Sequence, residues 1–160
     1  MSRRVAPLPF TLNIAVTNAW VSQLFDQELR KRGVAPFQSG TLTVLHRYQP
    51  VTPSDLQAVM GVPSTTLRNR VNELVADGLV ERVPNPQDGR SHLLRTTAAA
   101  KDVLRASAAA DRQVQRMLAR HGVDVDGDLP DALHSLRDIV KGLVTDPPPS
   151  SSEALTTGPW

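Results

Sequence analysis

The stretch from Thr52 to Arg95 limits what this chain can fold into more than any other. Helix-start and helix-stop signals recur there at intervals too short for a long helix and too regular for a loop. Thr52-Pro53-Ser54-Asp55 is a capped start: Thr52 caps, Pro53 suits the first turn, and Asp55 closes the box at the positive helix end. Leu56, Val59 and Met60 face inward and Gly61 stops the helix. A turn through Val62 leads to Pro63, and a second helix runs on towards Gly78. Helix, tight turn with glycine, helix is the helix-turn-helix pattern.

The second helix can be phased. At about 100° per residue, Leu67, Val71 and Leu74 fall on one side and Thr65, Asn69 and Asn72 on the other. Arg68 and Arg70 flank the apolar stripe. The outward face is therefore polar and basic, which suits reading of base edges: Asn pairs with adenine, Arg with guanine or phosphate, and Thr offers a hydroxyl or a methyl. An ordinary solvated face would have the same composition, so the flanking segment has to decide. Leu79 to Val83 has strand character, Pro84-Asn85-Pro86-Gln87-Asp88-Gly89 is dense in turn formers, and Ser91 to Arg95 supplies a returning strand. Asp-Gly is a strong hairpin signal. A hairpin directly after a helix-turn-helix is a wing, with Arg90 near its tip, where a guanidinium could enter a narrow minor groove. Asp88 is expected to make the turn, or to orient Arg82 or Arg90 through a charge pair.

The flanking segments read as helices. Thr11 to Arg32 is uninterrupted by Pro or Gly, with Leu12, Ala15, Val16, Ala19, Trp20, Leu24 and Leu29 roughly at helical spacing and Gly33 as a stop. A helix from Pro36 to Tyr48 follows, with Phe37, Leu42 and Leu45 as its core face. After the wing, Thr97 is expected to cap a long helix to about Arg120, with Val103, Ala110, Val114, Met117 and His121 as an approximate heptad seam and small Ser107 allowing close approach. Pro130 opens the last helix, on which Leu129, Leu133, Leu136, Val140 and Leu143 form one apolar stripe. That stripe needs another helix to cover it; two-fold pairing of chains explains more than packing on the first helix.

The expected architecture is mainly α with a small β-hairpin: a winged helix-turn-helix with N- and C-terminal dimerisation helices. Residues 1–9 form a basic arm, 10–50 the support helices, 51–96 the winged domain, 97–145 the C-terminal dimerisation helices, and 146–160 a Pro- and Ser-rich tail expected to be disordered.

Composition narrows the function classes. Of the eighteen basic residues in this 160-residue chain, fifteen are Arg, and the net charge is +2. That balance fits a nucleic-acid partner, or equally a codon bias towards Arg. Cysteine is absent, which removes disulfides, thiolate metal sites and thiol sensing. No apolar run approaches the roughly 20 residues of a membrane span, and no secretory signal is evident, so a cytoplasmic location is expected. An enzyme finds little support: His46, His92, His121 and His134 lie on separate elements, and there is neither a Gly-rich phosphate loop nor a nucleophile elbow. Asp124, Asp126 and Asp128 resemble the opening of a calcium loop, but Leu129 and Ser135 stand where glycine and a carboxylate are required. No cofactor or metal is expected.

The order of elements, and above all Gly78-Leu79-Val80-Glu81-Arg82 followed by Asn85-Pro86-Gln87-Asp88-Gly89-Arg90, resembles the multiple antibiotic resistance regulator (MarR) family of winged-helix transcription factors over roughly Thr11 to Val144. The resemblance implies a homodimer that binds double-stranded DNA at a palindromic operator, most often as a repressor. It also implies release by a small aromatic or phenolic effector bound between the dimer helices and the winged domain. Carried over by position, Ser64, Thr65, Thr66, Arg68, Asn69 and Arg70 become the helix part of the DNA-binding set, and Asp88 and Arg90 the wing part. Asn69 stands where many members carry a basic residue, Asn85 replaces the commoner Asp, and Thr96 to Ala100 departs from the family's signature after the wing. Trp20, Phe25, Phe37, His46 and Tyr48 lie where family pockets are found; they either line a cavity for an aromatic acid, with Arg47 meeting its carboxylate, or are simply core. The alternative is a winged-helix protein-interaction module without DNA binding, since fold alone does not give function.

Overall fold

A computed structural model describes residues 8–145. The basic arm and the Pro- and Ser-rich tail lie outside the described residues, except Leu8 and Pro9. Six helices and one hairpin follow in order: α1 (Phe10–Arg30), α2 (Pro36–Tyr48), α3 (Pro53–Met60), α4 (Ser64–Ala76), β1 (Val80–Pro84), β2 (His92–Thr96), α5 (Ala100–Arg120) and α6 (Asp128–Thr145). One compact unit extends to Met117 and a second begins at Leu118.

The first unit is built on the punctuation of the sequence. Thr52 caps α3, its hydroxyl accepting from the Asp55 N–H at 3.1 Å. Gly61 ends α3 at φ +63°, a left-handed turn that only glycine adopts freely. The predicted stripe of α4 is buried: Leu67, Val71 and Leu74 join Leu42, Leu45, Leu56, Val80 and Leu94 in the main core. Burial of each such leucine is worth about 1.5–3 kcal/mol. A smaller cluster holds Leu29 and Val34 against Ala110 of α5.

β1 and β2 pair antiparallel in the register Val80↔Thr96, Arg82↔Leu94 and Pro84↔His92. Each strand starts one residue later than the sequence predicts, because the Leu79 carbonyl accepts from the Thr97 N–H at 3.0 Å and closes the hairpin base. Val51, in the connector before α3, forms an isolated bridge with Leu94, so the pair gains a one-residue third edge. The turn between the strands is not the two-residue Asp-Gly type, which requires positive φ at both positions; Gly89 is not among the positive-φ glycines. Instead the loop is wider, and two side-chain turns shape it: Asn85 Oδ1 accepts from the Gln87 N–H and Asp88 Oδ1 from the Arg90 N–H, each at 3.0 Å.

One further expectation is corrected. Thr97 does not cap α5: its hydroxyl donates to the Gly78 carbonyl at 2.7 Å, and the helix starts at Ala100. Most of the α1 stripe is uncovered: Leu12 and Trp20 are exposed, the latter at 67%, and only Leu29 of that series is buried. Nothing in the first unit lies over the outer face of α1. The α5 seam is buried at Ala110 and Val114, with His121 exposed beyond it. Ser107, buried as its small size suggested, donates to the Val103 carbonyl at 2.7 Å.

In the second unit, Asp124 Oδ1 accepts from the Asp126 and Gly127 N–H groups at 3.3 and 2.8 Å, the turn that leads into α6. The α6 stripe is exposed: Leu129, Leu133, Val140 and Leu143 are 40–57% accessible.

Candidate functional site

Because Leu67, Val71 and Leu74 are drawn into the core, α4 must turn its opposite face outwards. Ser64, Thr65, Arg68 and Asn69 are exposed on it, while Thr66 and Arg70 are half-buried on its flanks. Asp88 and Arg90 are exposed in the wing loop. The expected charge pair of Asp88 with Arg82 or Arg90 is absent. Asp88 uses its carboxylate on the backbone N–H of Arg90, and Arg82 donates to Asn72 Oδ1 at 2.6 Å. That bond ties wing strand β1 to helix α4 and occupies the acceptor of Asn72.

The hairpin register also creates a groove the sequence did not disclose. A cavity of about 450 Å³ lies between the first turns of α3 and α4 and the wing, lined by Ser54, Gln57, Ser64, Arg68, Asn72, Arg82 and His92 among others. Its lining carries two guanidinium groups and no carboxylate. Ser54 and Ser64 sit at the N-terminal ends of two helices, where backbone N–H groups and the helix dipole favour anions. Only Ser64 and Arg68 of this lining were predicted as site residues. Arg82 and His92 come together only through strand pairing, which no local pattern reveals.

A second groove, about 600 Å³, runs between α2 and α5 with Phe25 of α1 at its edge. It takes in Phe25 and His46 of the predicted aromatic set, together with Ser39, Thr43, Val44, Leu104, Ser107 and Asp111. Trp20, Phe37 and Tyr48 do not line it. Trp20 is exposed on α1, Phe37 packs against the main core, and Tyr48 lines a separate groove with Pro50, Thr52, Asp55, Pro86 and Leu93. Arg47 is exposed and lines none of these grooves.

His46 links the second groove to the wing. Gln49 Oε1 accepts from the Thr96 N–H at 2.7 Å and from the Thr96 hydroxyl at 2.9 Å. Gln49 Nε2 lies 3.0 Å from His46 Nδ1. The same Nδ1 lies 3.3 Å from the Thr96 hydroxyl oxygen. The chain from groove to β2 is thus His46, Gln49, Thr96.

At the end of α1, Glu28 is buried between Lys31 and Arg32, with Arg32 2.8 Å from its carboxylate. Hydrogen bonds from Lys31 and then Arg32 hold its carboxyl below the usual carboxylate range. Arg32 also donates to the Glu28 carbonyl at 2.7 Å. Among the described residues no group of His, Asp or Glu is arranged to hold a metal ion, and no helix is long and apolar enough to cross a membrane.

Residues 32–91, from the end of α1 to the wing loop, match the MarR family model. The chain is 29% identical over 90 residues to the multiple antibiotic resistance protein MarR of Escherichia coli, an alignment covering 56% of this chain and 62% of that protein. It thus spans less than two thirds of that relative's length. It is 25% identical over 112 residues to YdgJ of Bacillus subtilis, described as an uncharacterised HTH-type transcriptional regulator, covering 69% of this chain and 68% of that one. A crystal structure of a mutant E. coli MarR complexed with operator DNA superposes with a TM-score of 0.68 at 24% identity, over 83% of this chain and 94% of that one. At that identity the superposition establishes the fold.

Proposed function

From the match of residues 32–91 to the MarR family model, we propose that the chain is a MarR-type DNA-binding transcriptional regulator. In this reading it is a cytoplasmic homodimer that binds a palindromic operator as a repressor. The observation that carries the proposal is the exposed ridge of Ser64, Thr65, Arg68 and Asn69 beside a carboxylate-free groove and an exposed Arg90. Thr65 and Asn69 read base edges, flanked by Thr66 and Arg70. Ser64, Arg68 and Arg82 take the adjacent phosphates, and Arg90, aimed by the Asp88 turn, enters the minor groove.

Two such ridges must stand roughly 34 Å apart to enter successive major grooves. The exposed stripes of α1 and α6 supply the apolar surface for pairing two chains. A small aromatic effector in the groove between α2 and α5 then acts by population shift: it lowers DNA affinity by the difference in its affinity for the two spacings.

The test is recovery of genomic DNA fragments by the purified protein. An enriched inverted repeat, bound by the wild type and lost on Arg68→Ala with Asn69→Ala, is the expected result. Failure to enrich any duplex, or enrichment indifferent to those changes, refutes DNA reading by this ridge and leaves a protein-interaction role for the winged domain.

A further inference from the structure

Resting on the reading of the α2–α5 groove as the effector site, we propose that this groove selects a positively charged aromatic ligand, an amine carried on a flat apolar group, over an aromatic acid. The α5 wall presents acceptors alone. Ser107 has donated its proton to the Val103 carbonyl at 2.7 Å, so only oxygen lone pairs remain to meet a ligand. Asp111 lies one turn further along the same face and carries the groove's one fixed charge. Its Oδ2 accepts from Gln115 at 2.9 Å, which steadies the carboxylate and leaves Oδ1 for a guest.

Neither Lys nor Arg lines the groove, so an incoming carboxylate would meet a like charge with no cation to neutralise it. An ammonium meets the carboxylate directly, and Phe25 adds an aromatic ring to the lining of the same groove. Val44, Leu104 and Ala108 supply the apolar bed for the flat group.

Three probes of one shape and different charge test this: naphthylmethylammonium, naphthylmethanol and naphthoate, titrated by calorimetry into the full-length protein. The cation is expected to bind roughly tenfold more tightly than the anion, with the alcohol between, since a solvent-screened carboxylate attracts the one and repels the other. Asp111→Asn, at an exposed position, is expected to shrink that gap to about threefold or less. Asp102→Asn, which removes an exposed carboxylate of the same helix outside the groove, should leave it unchanged. Naphthoate binding as tightly as the cation, a gap that survives Asp111→Asn, or no binding of any probe overturns the proposal. Each titration is done without DNA, and duplex binding is measured separately. A chain that selects the cation but ignores every duplex would refute the regulator reading alone.

Discussion

At the scale of single residues, the wing loop carries the most specific assignments. The Arg90 side chain makes no hydrogen bond or ion pair among the described residues, while its backbone is fixed by Asp88. Arg90→Ala is therefore expected to leave the thermal midpoint within experimental error and to weaken operator binding roughly tenfold, about 1.4 kcal/mol. Fluorescence anisotropy with a labelled duplex reads the second quantity, and an unchanged affinity would remove Arg90 from the interface. Asn85 shows why the departure from Asp matters: its Nδ2 donates to the Ser91 hydroxyl at 2.7 Å while that hydroxyl donates to the Asp88 carbonyl. A carboxylate has no proton to give there. Glu28 sets a pH dependence. With its folded pKa lowered from the ordinary value of 4.5, its stabilisation is complete above that value and is lost as the pH falls through the lower folded one. Urea denaturation should find Glu28→Gln less stable than wild type at neutral pH and converging on it in acid. A difference that stays constant with pH would assign the effect to packing alone.

At the scale of elements, Gln49 joins α2 to β2 through two hydrogen bonds accepted by one oxygen. Gln49→Ala is expected to destabilise the first unit by about 1–2 kcal/mol, since the Thr96 N–H and hydroxyl lose their partner. A loss under about 0.5 kcal/mol in chemical denaturation would mean that water replaces the amide without cost. The elements themselves were largely legible. Caps, glycine stops and the period of Leu67, Val71 and Leu74 are local signals, and they place α3 and α4 within a residue or two. The site was legible only where it lies on one helix. Ser64 and Arg68 follow from phase, but Arg82 and His92 reach the same groove through the strand register. Thr97 was misread because a threonine before a helix looks like a cap whether its hydroxyl turns to the helix or to the Gly78 carbonyl. Trp20 and Tyr48 join the candidate pocket only through their place on the first two helices, where family pockets are found, and position along a helix does not say which way a side chain faces: both are exposed in the single chain.

At the scale of the whole molecule, the exposed stripe on α6 is the feature a lone chain leaves unexplained. Leu133 is 57% exposed and Leu143 54%, so replacing them costs the monomer little. Leu133→Asp with Leu143→Asp is expected to retain the helical circular dichroism and to sediment as a monomer, where the wild type is expected to sediment as the proposed dimer. Operator affinity should fall roughly a hundredfold or more, because the second half-site is no longer tethered to the first. A double variant that remains dimeric would show that α6 is not what holds the pair together.

Val51 bears on how the proposed pair would switch. By bridging Leu94, the connector stitches the hairpin to the segment that launches α3, and the Arg82–Asn72 bond fastens the same hairpin to α4. The wing has no joint of its own about which to swing. In the proposed dimer, opening and closing would then resemble calipers, each jaw a solid casting, with the play confined to the pivot where the two halves meet.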